Sequence, residues 1–319
     1  MAITISDIIT EHGAYYKKGG QGEQNLVAKF YEKSETEQLF TRVITEATVY
    51  DTAGIDTTRV VQPYQDTFTP LGGMTFTPEK IQLYEQKIDT QENPSKIEAS
   101  WLGFLANDKS RDRKEWPLIR YWLEWILAQK NEDIEVNEIY SAIYAAPTPG
   151  TAGAAGTSMH GLQKVFVDSL ARSGSNKVTL VTTGALESDA VDFVTQVETF
   201  IDTIPDKYKD SLGPIVMSKA NRRKFIRGNR AKYNINYDQK EDLTTVQDYE
   251  LPVVSVRSMQ GKDRIWTTVK GNGIVAVKAP AGENMLQVES VDRNVKAWTD
   301  WWKGIGFRYH PLVFVNDQT

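Results

Sequence analysis

The residue types that most often carry chemistry are few in this chain and lie in separate segments. The three histidines, His12, His160 and His310, are isolated from one another and from other metal-ligating residues, so none offers the paired spacing of a metal site. The chain has no cysteine, which excludes thiolate catalysis, disulfides and cysteine-ligated metals. The sequence therefore predicts no catalytic residue, no metal site and no cofactor.

One glycine-rich stretch, residues 150–161 (GTAGAAGTSMHG), precedes a helical pattern as a phosphate-binding loop would. It lacks the GxxxxGK[ST] motif and a strand directly before it, and its spacing does not match a nucleophile elbow. Thr157 or Ser158 acting as a helix N-cap explains the same residues. A nucleotide-dependent enzyme that uses this loop is kept as the third alternative for function.

The other concentration of chemistry-bearing residues is a basic segment. It could contact nucleic-acid phosphates, form a solvated helix face, or pair with acidic groups of another subunit, and the last two interpretations are favoured. Acidic residues follow closely at Asp238, Glu241, Asp242, Asp248 and Glu250. The basic residues are Lys219, Arg222, Arg223, Lys224, Arg227, Arg230 and Lys232.

Length and charge set the broad class. The chain has 319 residues, which suits one large domain or two interlocked ones, and its net charge of −5 argues against a dedicated nucleic-acid binder. The N-terminus has neither a basic region nor an apolar run of signal-peptide length, and no stretch approaches the about 18 to 20 apolar residues that span a bilayer. We expect a protein of the cytoplasm with no membrane partner.

The element that must organise the fold is a helix over residues 116–130, WPLIRYWLEWILAQK. Its apolar residues form one broad face, which Tyr121 and Trp125 widen, while Arg120 and Glu124 form a narrow polar strip. A helix so apolar is expected to be covered on most of its circumference. The face is made by Leu118, Ile119, Trp122, Leu123, Ile126 and Leu127.

An arm, two helices and a hairpin are predicted before this spine helix. Residues 1–22 read as an arm, and helices follow at residues 26–31 and 39–44, the second opened by a capping box of Ser34 and Glu37. Residues 57–89 read as a long hairpin with its turn at Pro70 and Gly72-Gly73. A lone ribbon is marginal in water, so it must lie on another subunit or on its own core, and the pattern leaves both possibilities open.

After the spine helix the sequence predicts another helix at residues 136–144 and a hinge at 145–161. A lobe of alternating helices and strands follows, including the strand GPIVMS, and the chain closes with strands separated by glycine turns. The fold class is therefore α+β.

In this order the elements resemble the major capsid protein of tailed bacteriophages, the Hong Kong 97-like fold. That fold has an N-terminal arm, an extended hairpin loop, a peripheral domain with a spine helix, and an axial domain. Segments in three parts of the chain carry the resemblance. They are Phe76-Thr77-Pro78 through Lys87-Ile88-Asp89 with Asn93-Pro94 and Trp101–Leu105; Pro214–Ser218; and Val288-Glu289 through Asp292-Arg293 with Trp301–Phe307 and Val313–Val315.

The resemblance implies a domain organisation and a function. Residues 1–48 would form the arm with its helices, 49–92 the extended loop, 93–145 the peripheral domain, 146–250 the axial domain, and 251–319 closing strands shared by both domains. The function implied is that of a structural protein, not an enzyme, which self-assembles as hexamers and pentamers into an icosahedral shell around double-stranded DNA. The extended loop would lie across a neighbouring subunit, and the protein would reside in the virion capsid after assembly in the host cytoplasm.

Departures from the family pattern, and one related family, add further expectations. The chain begins with Met1 and shows no scaffolding extension, so a separate scaffold, or none, is expected. The resemblance also implies a portal and decoration proteins as partners, with at most non-specific contact to packaged DNA. No lysine lies between Lys33 and Lys80, so we expect a shell without lysine cross-links from the loop. A bacterial encapsulin shell shares the fold and is the alternative function. The candidate subunit contacts are Pro70, Leu71, Gly72, Gly73, Met74, Arg222, Arg223 and Arg227.

Overall fold

The computed structural model describes residues 34–93, 118–234, 243–278, 287–291 and 294–318. The predicted arm and first helix, the segment Trp101–Leu105 and the acidic residues Asp238, Glu241 and Asp242 lie outside the described residues, as do His12 and the side chain of Arg120. The helices are α1 (Leu118–Asp133, the spine helix), α2 (Leu162–Leu170), α3 (Ala190–Asp202), α4 (Asp206–Lys209) and α5 (Lys219–Tyr233). In this part of the chain no helix is long and apolar enough to cross a bilayer.

Most strands fall in two runs, one before α1 and one after α5, and only two of the described strands lie between helices, so helices and strands are largely segregated along the chain as in the α+β class. Short 3-10 turns and one π-helical turn, Ile134–Glu138, connect some of the elements. The strands are β1 (Thr41–Thr45), β2 (Val49–Thr57), β3 (Met74–Gln82), β4 (Tyr84–Glu92), β5 (Thr179–Val181), β6 (Ile215–Ser218), β7 (Thr245–Val246), β8 (Leu251–Val256), β9 (Trp266–Thr268), β10 (Gly273–Lys278), β11 (Gln287–Val291), β12 (Asn294–Phe307) and β13 (Val313–Asn316).

The strands form two larger sheets and a separate ribbon. One sheet has the order β1-β10-β12-β11, with β4 also paired to β12, and the other has the order β5-β13-β9-β6-β8-β7. The long strand β12 is the centre of the first sheet, because it pairs antiparallel with β4 from Val295 to Lys303 and with β10 from Lys303 to Phe307. Strands β2 and β3 pair only with each other, with Val49 opposite Gln82.

The spine helix packs on the first sheet through one face, as its periodicity predicts. Trp122, Leu123, Ile126 and Leu127 are buried, and they belong to a core that also contains residues of β10, β12 and α2. Trp125, which the sequence places on this face, is 62% exposed, so that prediction is wrong. At about 100° per residue, position 125 lies roughly 130° around the helix from the middle of the arc that Trp122, Leu123, Ile126 and Leu127 cover.

A second core lies between α3, α5 and the six-stranded sheet. Phe193, Phe200 and Phe225 from the two helices pack there with residues of β6 and β13. All residues of β6 are buried, as expected for the strand GPIVMS, and Ser218 at its end caps α5 by accepting a hydrogen bond from the Asn221 N–H at 3.3 Å.

The helix predicted at residues 39–44 is wrong, because Thr41–Thr45 is a strand that pairs in parallel with β10. Its β-branched residues suit a pleated strand, and the tertiary partner overrides the helical spacing. The predicted capping box opens only a short 3-10 turn, Glu37–Leu39. The backbone N–H of Glu37 lies 3.4 Å from the Ser34 hydroxyl, while the carboxylate of Glu37 forms a buried ion pair with Lys303.

The helix predicted at residues 136–144 is also wrong. The spine helix instead continues into the π-helical turn Ile134–Glu138 and then turns back. Ile139 and Tyr140 are buried whereas Val136 and Ile143 are exposed, so the apolar residues here follow the turning chain rather than one helix face. The chain that leads back into α2 passes close to this turn, because a Cβ atom added at Gly161 would lie 2.5 Å from the Tyr140 carbonyl oxygen.

Candidate intersubunit surfaces

The ribbon of β2 and β3 has a packed end, the hairpin root (residues 77–83), and an exposed end, the hairpin tip (residues 58–76). At the root, Ile81 and Leu83 are buried against Ile274 and Ala276 of β10. The root therefore lies on its own core, as one of the two possibilities predicted, while the tip is exposed and its docking on another subunit stays a prediction. The segment RVVQPYQDTF, predicted as the first strand, is instead irregular, since β2 ends at Thr57. Its Pro63 cannot donate to a ladder.

A buried carboxylate fastens the root. Glu79 of β3 is 3% exposed. Its carboxylate accepts hydrogen bonds from the Arg172 guanidinium at 2.6 Å and from the Asn176 amide, and it lies 3.3 Å from His310 Nε2. Burial alone would raise the pKa of Glu79, but His310 and then Arg172 more than offset this and hold the pKa below its usual value of 4.5. The ribbon is therefore tied both to the end of α2 and to the segment before β13.

The hairpin tip shows the opposite character, because it exposes large apolar side chains. Its backbone is held by local bonds, such as Gly73 N–H to the Thr58 hydroxyl at 2.9 Å and the Gln62 amide to the Thr69 carbonyl at 2.7 Å. So many large apolar side chains exposed within one short segment are typical of an interaction site. The exposed apolar residues are Val60 (65%), Val61 (75%), Tyr64 (90%), Phe68 (92%), Leu71 (43%), Met74 (69%) and Phe76 (63%).

The predicted contact residues Pro70, Leu71, Gly72, Gly73 and Met74 all lie on this tip and are exposed. Gly72 has a φ of 89°, and an added Cβ would lie 2.7 Å from the Arg59 carbonyl oxygen, so the turn requires glycine. The pattern RVVQPYQDTF predicted a strand for Val60, Val61, Tyr64 and Phe68, so these exposed residues were not among the predicted contacts. Apolar residues beside Pro63 were the available signal that this segment is not an ordinary core strand.

The predicted basic contacts divide in the structure. Arg222 Nε donates to the Val253 carbonyl at 2.9 Å and so holds α5 to β8 within the subunit, whereas Arg223 and Arg227 are exposed. These two arginines are one turn apart on the same helix face. Lys224 and Lys232 bind the Glu187 carbonyl oxygen and the Glu198 carboxylate within the lobe. An intersubunit role remains a prediction for Arg222, Arg223 and Arg227.

The glycine-rich loop is occupied by the chain's own carboxylate. Glu138, at the end of the π-helical turn, accepts the Gly156 N–H at 2.7 Å, the Ser158 N–H at 3.0 Å and the Ser158 hydroxyl at 2.7 Å. Helix α2 begins after Gly161, with no side-chain cap, so the expected cap by Thr157 or Ser158 is wrong. Backbone N–H groups that would cradle a phosphate are already bonded, and this geometry argues against the nucleotide-site alternative.

The two histidines in the described part of the chain, His160 and His310, make contacts that support the fold. His160 Nδ1 accepts the Tyr144 backbone N–H at 3.0 Å, and His310 lies beside Glu79. Among the described residues there is no group of three or more His, Asp or Glu side chains that could hold a metal ion.

No protein-family model matches the chain, and no curated protein matches its sequence. Solved structures do match its fold, and phage and GTA capsid structures are among them. The fold is therefore the α+β capsid fold of the Hong Kong 97 type, as the resemblance predicted, and at identities of 10 to 15% the likeness concerns the fold.

Three of these structures show how far the likeness extends. A chain of the satellite phage P4 procapsid, which includes size determination (Sid) protein, matches with a TM-score of 0.58 and 10% identity over 98% of this chain and 97% of that chain. The capsid of an empty GTA particle matches with a TM-score of 0.51 and 15% identity over 89% of each chain. A structure from Gordonia phage Cozz matches with a TM-score of 0.51 and 12% identity over 89% of this chain and 86% of that chain.

Proposed function

We propose that this chain is the shell subunit of a tailed bacteriophage capsid, and that it acts by self-assembly rather than by catalysis. The proposal rests on the exposure of large apolar side chains at the hairpin tip. Tyr64 and Phe68 are 90% and 92% exposed on a ribbon whose root is locked to the subunit body. Because this apolar surface lies away from the core of its own subunit, it becomes buried by packing against a second copy of the chain.

The same subunit exposes a second apolar surface on the outer side of the spine helix. Trp125 is 62% exposed there, and Val136 is 41% exposed on the turn that follows. We propose that the tip of one copy docks on this surface of the next copy. Such a contact joins two different patches, and repeated around an axis it closes rings, which here are the hexamers and pentamers of an icosahedral shell that encloses double-stranded DNA.

The domain organisation implied by the resemblance belongs to this proposal. Residues 49–92 act as the extended loop between an N-terminal arm and the peripheral domain, and residues 146–250 form the axial domain. Arg223 and Arg227 are available for acidic groups of a neighbouring subunit or for phosphates inside the shell. A separate scaffold, a portal and decoration proteins are the proposed partners, and the virion is the proposed location.

Electron microscopy of the purified full chain in negative stain tests assembly. We expect closed particles or rings of five and six, and we expect Phe68→Asp to abolish them because it places a charge in the buried contact. Phe68→Leu keeps the contact apolar and serves as the matched control. A monodisperse monomer at high concentration, or particles formed equally well by Phe68→Asp, contradicts the proposal.

The content of particles purified from cells that carry the rest of the phage genes distinguishes a capsid from an encapsulin. Nuclease-protected double-stranded DNA supports the phage capsid, whereas a protein cargo without protected DNA supports the encapsulin.

A further inference from the structure

Helix α5 presents one side that carries only positive charge. Its sequence, KANRRKFIRGNRAKY, contains no acidic residue. At about 100° per residue, four cations fall within an arc of about 80°, on the side of the helix turned away from Gly228. Gly228 packs closely against Ala190 of α3. We call the charged side the basic face, and it consists of Lys219, Arg223, Arg227 and Arg230.

Two cations at the centre of the basic face have no partner in the described part of the chain. Arg223 and Arg227 are exposed, and their side chains make no hydrogen bond, ion pair or ring contact with the described residues. Lys219, one turn before Arg223, lies 3.6 Å from Glu35. Like charges one turn apart on a helix destabilise it, so this arrangement favours contact with an anionic surface.

The neighbouring helix α3 carries the opposite charge. Its sequence, AVDFVTQVETFID, contains no basic residue. The carboxylates of Glu187 and Asp192 are exposed and make no hydrogen bond or ion pair with the described residues. Asp192 lies about half a turn around α3 from Ala190, so it faces away from α5. We call the exposed carboxylates at the start of α3 the acidic patch, and they are Glu187, Asp189 and Asp192.

The two charged surfaces lie toward opposite ends of the six-stranded sheet. Helix α5 packs on β6 and β8, where Arg222 donates to the Val253 carbonyl at 2.9 Å. Helix α3 is tied to the end of β5, because the Gln196 amide donates to the Thr183 carbonyl at 3.0 Å. Strand β5 is at one end of the sheet, and β8 is next to the other end. The lobe that contains α3 and α5 therefore has a positive side and a negative side.

We propose that the basic face of one copy docks on the acidic patch of the next copy. This inference rests on the proposed shell function and names a second contact within its rings. Because the two surfaces differ, the contact is head-to-tail, and it repeats around an axis until the ring closes. Opposite charges speed the encounter and set its orientation.

Within the subunit the same two helices already pair opposite charges, since Lys232 of α5 binds the carboxylate of Glu198 of α3. The contact between copies extends this complementarity to the outer sides of the two helices. The phosphates of duplex DNA also attract cations, but the net charge of −5 opposes their approach. A second copy instead supplies carboxylates that match the basic face.

Charge reversal in the full chain tests this contact, with assembly followed by light scattering and negative-stain microscopy. Arg223→Glu/Arg227→Glu makes both sides of the lobe acidic, and Glu187→Lys/Asp192→Lys makes both sides basic. Each double variant should need about tenfold or more protein to assemble, because like charges then meet. The chain with all four substitutions exchanges the two charges and should assemble nearly as the unchanged chain does. Failure of that chain to assemble, when it is folded, overturns the assignment.

An equal mixture of the two double variants tests the head-to-tail arrangement. Opposite charges meet only where the two variants alternate around a ring, so closed rings must have an even number of subunits. We expect six-membered rings and no five-membered rings from the mixture. Five-membered rings as abundant as those of the unchanged chain overturn the arrangement.

A matched control separates the contact from a change in total charge. Lys87→Glu/Lys270→Glu changes the net charge as much as the arginine variant does, at exposed positions outside the basic face and the acidic patch. It should assemble as the unchanged chain does, and a loss equal to that of the arginine variant overturns the proposal. All substituted side chains are exposed, and thermal unfolding of each variant verifies that it folds.

The outcomes distinguish this contact from the shell function. If the unchanged chain assembles and every charge variant does so equally well, this contact is wrong and the shell function stands. If the unchanged chain stays monomeric, the shell function is wrong and this contact with it. If Arg223→Glu/Arg227→Glu assembles normally but no longer binds a short duplex DNA that the unchanged chain binds, the basic face serves nucleic acid and the contact between copies is overturned.

Discussion

Glu135 and Thr36 are 99 residues apart in the chain, and they are joined by two hydrogen bonds. The Thr36 N–H donates to Oε2 at 3.0 Å and its hydroxyl donates to Oε1 at 2.7 Å. The Ser258 N–H also donates to Oε1, at 3.2 Å. Both Glu135 and Thr36 are fully buried, so one carboxylate fixes the point where the N-terminal part of the chain joins the end of the spine helix.

Glu135→Ala should therefore destabilise the subunit by about 3 kcal/mol or more, because it leaves several buried donors unpaired. Urea denaturation of the unassembled chain measures the loss. Glu132→Ala is the matched control, since Glu132 pairs with Arg257 at a half-exposed position, and it should cost less than about 1 kcal/mol. Equal losses for the two variants would show that burial of Glu135 is not the cause.

Two tryptophans on the spine helix should respond differently to truncation. Trp122→Ala should cost about 3 to 5 kcal/mol of unfolding free energy, because Trp122 is 5% exposed in the main core. Trp125→Ala should change the stability of the unassembled subunit by less than about 1 kcal/mol, because Trp125 is 62% exposed. Assembly of Trp125→Ala, followed by light scattering, should nevertheless be impaired if the tip of another copy docks there.

The carboxylate of Glu79 should make stability depend on pH in acid. Its pKa in the folded chain is lowered from the usual value of 4.5, so below that value the unfolded chain binds a proton more readily than the folded one. The contribution of Glu79 is therefore complete above about pH 4.5 and is lost as the pH falls through the lower pKa of the folded state. The difference in unfolding free energy between the unchanged chain and Glu79→Gln should shrink over this range, and a difference that grows with acid would contradict the assignment.

Lys130 should make stability depend on pH in the opposite range. Burial, and then the charge of Lys303, lower its pKa to about 7, whereas an unfolded lysine has a pKa of about 10.4. Between these values the unfolded chain holds the additional proton, so stability rises with pH by about 1.4 kcal/mol per unit. Lys130→Met should remove this rise between about pH 7 and 9, as measured by urea denaturation across that range. An unchanged slope would show that Lys130 titrates normally.

Assembled particles should dissociate fully in hot detergent. Lys80 is the first lysine after Lys33, and it lies at the hairpin root, so the hairpin tip carries no amine for a covalent link to a neighbouring subunit. Boiled samples should run as a single monomer band on a denaturing gel. A ladder of multimers that survives boiling would overturn this expectation.

Several elements could be predicted because their pattern and their packing agree. Helix α3 and the buried face of the spine helix have apolar residues at helical spacing, and each packs against a sheet through that face. The strand Ile215–Ser218 is a short apolar run bounded by Pro214 and a capping serine, and it is buried throughout. For the candidate intersubunit surface, Pro70 and the glycines at 72 and 73 were enough to predict where the hairpin turns.

The chain by itself determined the α+β class, the position of the spine helix and a hairpin too long to be stable alone, because local periodicity and turn residues encode these features. Only the tertiary structure decided that Thr41–Thr45 is a strand, since β10 supplies its partner. The fastening of the hairpin by Glu79 likewise depends on Arg172 and His310, which are distant in the chain. Pairing partners and buried charges of this kind depend on contacts between remote segments, and such contacts leave no local pattern in the sequence.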